Sequence, residues 1–538
     1  MRGNVRALLS LGIGLGLIAS AQTVDPKSLL HPPADSWLTF HGNYTGQRHS
    51  NLSEITPENV GKLQQVWRFQ TGQNQQIKAS PILSNGILYV TLPDNIWAID
   101  ARTAKELWHY QNPPNNAFHI GHRGAAIYKD TVYLTTPDCH LIALNAKDGK
   151  VKWDVVIADS NKGYWSTNAP LVVGNHVLVG VSGDFDNLPG QLKSVDADTG
   201  KTQWIFYSTS PPGAKEPNSG GATGGQMWTT GTYDPDLNLV YVGTGNPTPV
   251  LNGEVRPGNN PWTCSIVALN PDTGKMVWGF QASPHDTHDW DANEVPVLVD
   301  ANFKGQPRKM LMQASRNGYF FVLDRTNGNS LLTTPFATVN WAKGVDAKGH
   351  PIPDPAKYPS KSGVLVAPNE SGATNFRPPS FDPKTGLFIV SAQDGYVRRP
   401  EVVDRDEHRP VVPAVVAGLE IPTAGERAEG GQVAGQELEH VLVVPVTVVE
   451  ELQLHHDSLL HVQHVEGPGE PDVDPGDELV GHLVRARDGV ELVLDVAPGD
   501  RALGGEVQAV AVLGPPVQRQ RRGQVAAEDR NAAGLQPG

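Results

Sequence analysis

Over the first three-quarters of the chain, apolar and polar positions alternate in short runs, and turn-forming residues close each run. Gly86–Thr91 and Asp130–Thr135 show the pattern, with Val, Ile, Leu and Tyr positions bounded by Gly, Asp or Asn, which predicts short β-strands. A longer repeat overlies it: Ala-φ-Asp/Asn-x-x-Thr/Asp-Gly-Lys-x-x-Trp, where φ is apolar. Copies run Ala98–Trp108, Ala143–Trp153, Ser194–Trp204 and Ala268–Trp278, with weaker ones at Val322–Gly328 and Ser380–Gly386, and Val66 and Trp67 resemble the end of a first unit. Each copy reads as a hairpin: a strand enters a turn where Asp bonds its own backbone and Gly supplies positive φ, and a second strand leaves carrying Trp. With the intervening strands this makes about four strands per unit at a period of about 45 residues, longer where loops are inserted. Such a period predicts an all-β fold, a β-propeller of four-stranded blades, with each Trp packed structurally against its neighbouring blade.

Composition narrows the class. The length of 538 residues leaves one large β architecture or several domains open, while 56 Gly, 44 Pro and 12 Trp favour many short strands and tight turns. A net charge of −14 lacks the basic footprint of a nucleic-acid binder, so no nucleic-acid partner is expected. Arg2 and Arg6 precede an apolar run, Ala7–Ile18, followed by the small residues Ala19, Ser20 and Ala21. Residues 1–21 are therefore expected to be an export signal. The mature chain would be periplasmic or extracellular, with no transmembrane anchor after cleavage. Cys139 and Cys264 fit no short-spaced metal or haem motif; they could pair in an oxidising compartment or remain buried thiols.

The densest chemistry lies in Ser283–Glu294, where Asp286, Asp289, Asp291 and Glu294 fall within nine residues. Either water solvates these carboxylates or a hard cation gathers them, and the second reading is preferred. In an extended segment Asp289 and Asp291 would point to the same face, so one could bind metal while the other acts as a base. His285 and His288 offer a zinc alternative, which is less suited to an oxygen-rich site.

Several motifs around this loop resemble those of one family. Gly224–Trp228 and Tyr241–Pro247 look like an inner-strand signature, Ser315–Arg325 like an Arg-Asn-Gly strand, and Gly121–Gly124 like an Asn-Arg-Gly element. Together with the blade repeat, residues of about 35–396 resemble the pyrroloquinoline-quinone (PQQ) dependent alcohol dehydrogenases, which are eight-bladed propellers. The resemblance implies oxidation of a small alcohol to the aldehyde with hydride transfer to PQQ, assisted by Ca²⁺ or a lanthanide ion. A separate periplasmic cytochrome c would accept the electrons, and a homodimer is an open expectation. By the same resemblance Trp228 is the floor for the quinone, Arg123 binds a PQQ carboxylate, and Thr167, Ser182, Gly183 and Asn375 are further cofactor contacts. Asp289 is the catalytic base, with Arg316 beside it stabilising charge. Asn246, Asp289 and Asp291 serve the metal, Asp291 matching the extra Asp of the lanthanide-dependent members. The chain departs from the pattern at three places. Ala117 and Phe118 replace a vicinal Cys pair, Lys78 replaces a PQQ-contacting Glu, and Phe185 falls on a metal-binding Glu, for which the neighbouring Asp184 is the expected substitute. Non-catalytic propellers share the blade motif, so a protein-binding scaffold or an inactive relative stands as the rival reading.

Beyond residue 396 the pattern stops. All 37 aromatic residues precede Val397, and the rest of the chain also lacks Lys, Cys and Met. At the earlier density about 13 aromatics would fall there. Residues 397–538 are therefore expected to be an anomalous tail, translated from another frame or strand and poorly folded, leaving the propeller incomplete. A genuine, unrelated Val-rich domain is the alternative.

Overall fold

The computed structural model describes residues 23–399 apart from 74, 76, 114, 116, 118, 119, 184–186 and 212–220, together with the backbone of 438–445, 482–485 and 491–494. The expected export signal, Phe118, Asp184 and most of the expected tail lie outside the described residues. Two units are distinguished, Met1–Leu454 with Glu506–Gln508, and His455–Gly505 with Ala509–Gly538. Of the second, one antiparallel hairpin is described, His482–Arg485 with Glu491–Leu494.

Within the first unit, five antiparallel four-stranded sheets follow one another along the described chain. The first comprises Ile82–Ser84, Ile87–Leu92, Asn95–Asp100 and Glu106–Gln111; the second Ala126–Tyr128, Thr131–Thr135, His140–Asn145 and Val151–Val156. The third comprises Leu171–Val173, His176–Gly180, Gln191–Asp196 and Thr202–Tyr207; the fourth Thr232–Asp234, Leu239–Gly243, Ser265–Leu269 and Met276–Gln281. Val297–Phe303, Gln306–Ala314, Tyr319–Asp324 and Ser330–Pro335 form the fifth. Ser380–Asp382 and Leu387–Asp394 begin another sheet, joined by Leu438–Pro445, and Val364–Val366 pairs with Val397–Arg399. Described strands thus include residues 397–399 and 438–445. Among the described residues no helix is long and apolar enough to cross a membrane.

The repeat occupies the turn between third and fourth strands, as its chemistry predicts. Asp100 Oδ1 accepts from the amides of Arg102 (3.0 Å) and Thr103 (2.9 Å), and Asp196 Oδ1 from those of Asp198 (3.2 Å) and Thr199 (2.8 Å). Each repeat Trp then docks on the next copy. The indole N–H groups of Trp67, Trp108, Trp204 and Trp278 donate to the carbonyls of Ala101, Ala146, Pro271 and Arg325, at 2.7–3.1 Å. The ring lies on the Gly of that turn: a Cβ at Gly149, Gly274 or Gly328 would stand 2.5–2.7 Å from Trp108, Trp204 or Trp278. One residue thus does two jobs, since positive φ makes the turn and the missing Cβ seats the indole. Between the sheets the hydroxyls of Tyr133 and Tyr241 donate to the Ala197 and Arg325 carbonyls, within cores of Val, Ile and Leu. Trp67 docks as expected, but residues 63–70 form no strand, and Leu63 and Val66 are exposed. Cys139 and Cys264 are both buried free thiols and are not paired.

Candidate functional site

The described candidate residues stand at the same end of their sheets. Lys78, Arg123, Thr167, Trp228, Asp291 and Asn375 each stand a few residues before the first strand of a sheet, whereas Ser182, Asn246 and Arg316 stand just after a second strand. In an antiparallel pair the exit of the second strand lies beside the entry of the first. The topology therefore brings residues far apart in sequence to one edge.

Asp291 is the hub. Its Oδ2 accepts from the Trp228 indole N–H (3.0 Å) and Arg316 Nη1 (2.8 Å), and its Oδ1 accepts from the backbone N–H of Asn246 (2.6 Å). Arg316 Nη2 reaches Asp289 Oδ2 at 3.2 Å and the Glu370 carbonyl at 2.7 Å. Trp228, Asn246, Asp289, Asp291 and Arg316 are thus one connected group. The glycines of the Gly243–Pro247 motif make this approach feasible, because a Cβ at Gly243 would lie 1.8 Å from Ala292 O and one at Gly245 2.7 Å from Asp291 Oδ1.

The two aspartates converge by a different route from the one expected. Asp289 has φ +71°, so the segment turns and is not extended. Asp286 holds the turn: its carboxylate accepts from the amides of His288 (3.3 Å), Asp289 (3.0 Å) and Trp290 (3.3 Å). Burial pushes the Asp286 carboxyl up to about 6, opposed by the nearby Arg256 guanidinium. The cation that bridges Asp289 and Asp291 here is Arg316. Burial alone would lower its pKa, but Asp289, Asp291 and Glu294 more than offset this and hold it above its ordinary value. The two aspartates also differ in access, the Asp289 side chain being 28% exposed and that of Asp291 6%.

Over the ring of the same indole, the Arg123 guanidinium lies 4.5 Å from the Trp228 centroid and donates to the Thr167 hydroxyl. It is 3% exposed, and no carboxylate pairs with it among the described residues. Burial draws it down to about 9, with Asp291 opposing. Its Nε and the Ser182 hydroxyl are buried without a protein partner among the described residues. Ser182 and its neighbour Gly183 lie beside Trp165, through paired backbone bonds of Ser182 (2.8 and 3.1 Å). Asn375 is spent locally, donating to Ser371 O (2.8 Å) and accepting from Phe376 N (2.8 Å); no hydrogen bond ties it to the Asp291 network among the described residues.

His285 and His288 do not converge as zinc ligands. His285 Nδ1 bonds Gly258 O (2.7 Å), and His288 Nε2 bonds Lys357 O (3.1 Å) while its ring stacks on Trp290 at 4.4 Å. Among the described residues no group of three or more His, Cys, Asp or Glu has metal-holding geometry. Glu294, expected only as one of the clustered carboxylates that a cation would gather, is buried, has a carboxyl pushed well up by burial, and accepts from the Ser315 hydroxyl at 3.4 Å. Sequence reasoning missed His122, clamped between the hydroxyls of Thr91 (2.9 Å) and Thr135 (3.0 Å) beside Arg123.

Residues 37–346 match the family model for PQQ, the glucose/ethanol/alcohol dehydrogenase β-propeller domain. The chain belongs to this family. It is 36% identical over 417 residues to the quinohemoprotein alcohol dehydrogenase ADH IIB of Pseudomonas putida, covering 72% of this chain and 60% of that protein. A lanthanide-dependent methanol dehydrogenase of Methylacidiphilum fumariolicum is 34% identical over 426 residues, covering 72% of this chain and 69% of the relative. Among solved structures, the quinohemoprotein alcohol dehydrogenase of Comamonas testosteroni superposes with a TM-score of 0.66 at 33% identity, over 71% of this chain and 61% of that one. The chain thus spans about 60% of the length of the first of these relatives. The five four-stranded sheets are blades of a β-propeller.

Proposed function

We propose that this chain is a periplasmic PQQ-dependent dehydrogenase that oxidises a primary alcohol or similar small hydroxyl substrate, with Ca²⁺ or a lanthanide ion beside the quinone. The observation that carries the reading is the division of the site around Trp228. Over its ring stands a buried guanidinium without a carboxylate partner among the described residues, and at its N–H an Asp–Arg–Asp network.

The residues fit such a cofactor. Trp228 offers a flat apolar face, and Arg123 with the unpartnered Ser182 hydroxyl offers donors to an anionic, polar-edged ligand. Asn246, Asp289 and Asp291 supply hard oxygen donors suited to Ca²⁺ or a lanthanide; Asp184, the further candidate, lies outside the described residues. When bound, the quinone supplies the hydride acceptor, which no side chain provides.

The chain's own groups do the remaining work. Asp289 is the more accessible carboxylate and takes the substrate hydroxyl proton, with Arg316 fixing its Oδ2. Asp291 is occupied by three donors and positions Trp228, Asn246 and Arg316 relative to one another. Electrons leave to a separate cytochrome c.

Dye-linked alcohol oxidation, after loading with PQQ and Ca²⁺ or La³⁺, tests the proposal. Asp289→Ala should lower kcat by 100-fold or more, on the order of the contribution of a positioned base. Undiminished turnover would remove Asp289 from the reaction. Absence of quinone uptake by the unmodified chain would favour a scaffold.

A further inference from the structure

We propose that Lys78 acts with Arg123 as a two-cation clamp for the carboxylates of the cofactor, a binding role for the lysine that rests on the PQQ reading of the site. Residues 77–80 run beside the Arg123 segment: Ile77 bridges to His122, and the Ser80 amide donates to the Arg123 carbonyl at 3.0 Å. The Lys78 ammonium lies 4.5 Å above the Phe376 ring, which also has the Arg377 guanidinium at 5.6 Å. Phe376 in turn follows Asn375. Three cations, Lys78, Arg123 and Arg377, therefore share one corner of the site.

Lys78 and Arg123 differ from Arg316 in their charge balance among the described residues. Arg316 is matched by Asp289 and Asp291, but among the described residues no carboxylate pairs with Lys78 or Arg123. Half-burial, then Arg123 and Arg377, draw the Lys78 ammonium down to about 8, so the folded protein holds it against local repulsion. An arriving carboxylate relieves this repulsion and gains charge-assisted hydrogen bonds. A ligand that is anionic at one edge and electrically neutral where it reacts matches both halves. The Glu expected at position 78 from the family resemblance would instead have balanced Arg123 internally. In this chain the balance is left to the ligand.

Equilibrium dialysis of PQQ and of its uncharged trimethyl ester against the metal-loaded chain tests the clamp without relying on turnover. Lys78→Ala should weaken PQQ binding about tenfold and Lys78→Glu further, with Lys78→Arg close to the unmodified chain and ester binding unaffected by Lys78→Ala. Lys78 is half-exposed, and an unchanged melting midpoint would show that each variant is folded. PQQ binding by Lys78→Ala and Lys78→Glu within about twofold of the unmodified chain overturns the clamp and leaves the PQQ reading standing. Failure of the unmodified chain to bind PQQ overturns both.

Discussion

Replacing Arg316 by Met isolates the electrostatics on which the site is built. The side chain is 8% exposed and makes three contacts, to Asp291 (2.8 Å), Asp289 (3.2 Å) and the Glu370 carbonyl (2.7 Å). The Asp289 pair is partly solvated and contributes on the order of 0–1 kcal/mol. Asp291 is different: without Arg316 it remains buried, with N–H donors from Trp228 and Asn246 but no directly paired charge, Arg123 acting on it only through space. Breaking a buried pair from one side costs about 3–5 kcal/mol, and this term dominates. Arg316→Met should therefore destabilise the blades by about 3–5 kcal/mol in urea unfolding followed by Trp fluorescence. Asp291→Asn added to Arg316→Met removes the stranded charge and should recover about 2 kcal/mol or more, a coupling that additive behaviour would lack. A single-variant loss below about 1 kcal/mol, or strict additivity in the double variant, would show that Asp291 is not held by Arg316 as described.

Two further predictions concern the framework. Ala104 occupies the place of the repeat Gly and has φ +58°, so Ala104→Gly should raise stability by about 0.5–1 kcal/mol in the same unfolding assay. His41 and His122 are buried, and burial, followed by the adjacent Arg48 or Arg123, draws each from 6.5 to about 3. The unfolded chain thus binds more protons than the folded one between those values. The stability from neutral histidine is complete above pH 6.5 and is lost as pH falls towards 3, up to about 5 kcal/mol per group. His41→Gln should flatten the acid limb of a stability–pH curve, and an unchanged limb would refute the assignment.

What was legible in the sequence was whatever recurs locally. The Asp-x-x-Thr-Gly turn and its Trp form one hairpin, with every partner within a dozen residues or in the next copy, so the blade and its docking could be read from spacing. Gly149, Gly274 and Gly328 then proved to serve both turn and indole. The convergence of Asp289 and Asp291 was also expected, but for the wrong reason. Alternation along an extended strand cannot anticipate φ +71° at Asp289, which depends on the Asp286 carboxylate folding back on three amides. Nor could spacing reveal that Arg316, from another loop, bridges both carboxylates. Glu294 was grouped with the clustered carboxylates but given no part of its own, because its burial beside the Ser315 hydroxyl cannot be read from spacing. The substitution at position 78 was visible only as a departure from a pattern. Its consequence required the neighbours: a lysine in water is ordinary, but one held near two guanidinium groups, with no carboxylate pairing with it or with Arg123 among the described residues, gives the site a positive corner suited to an anion.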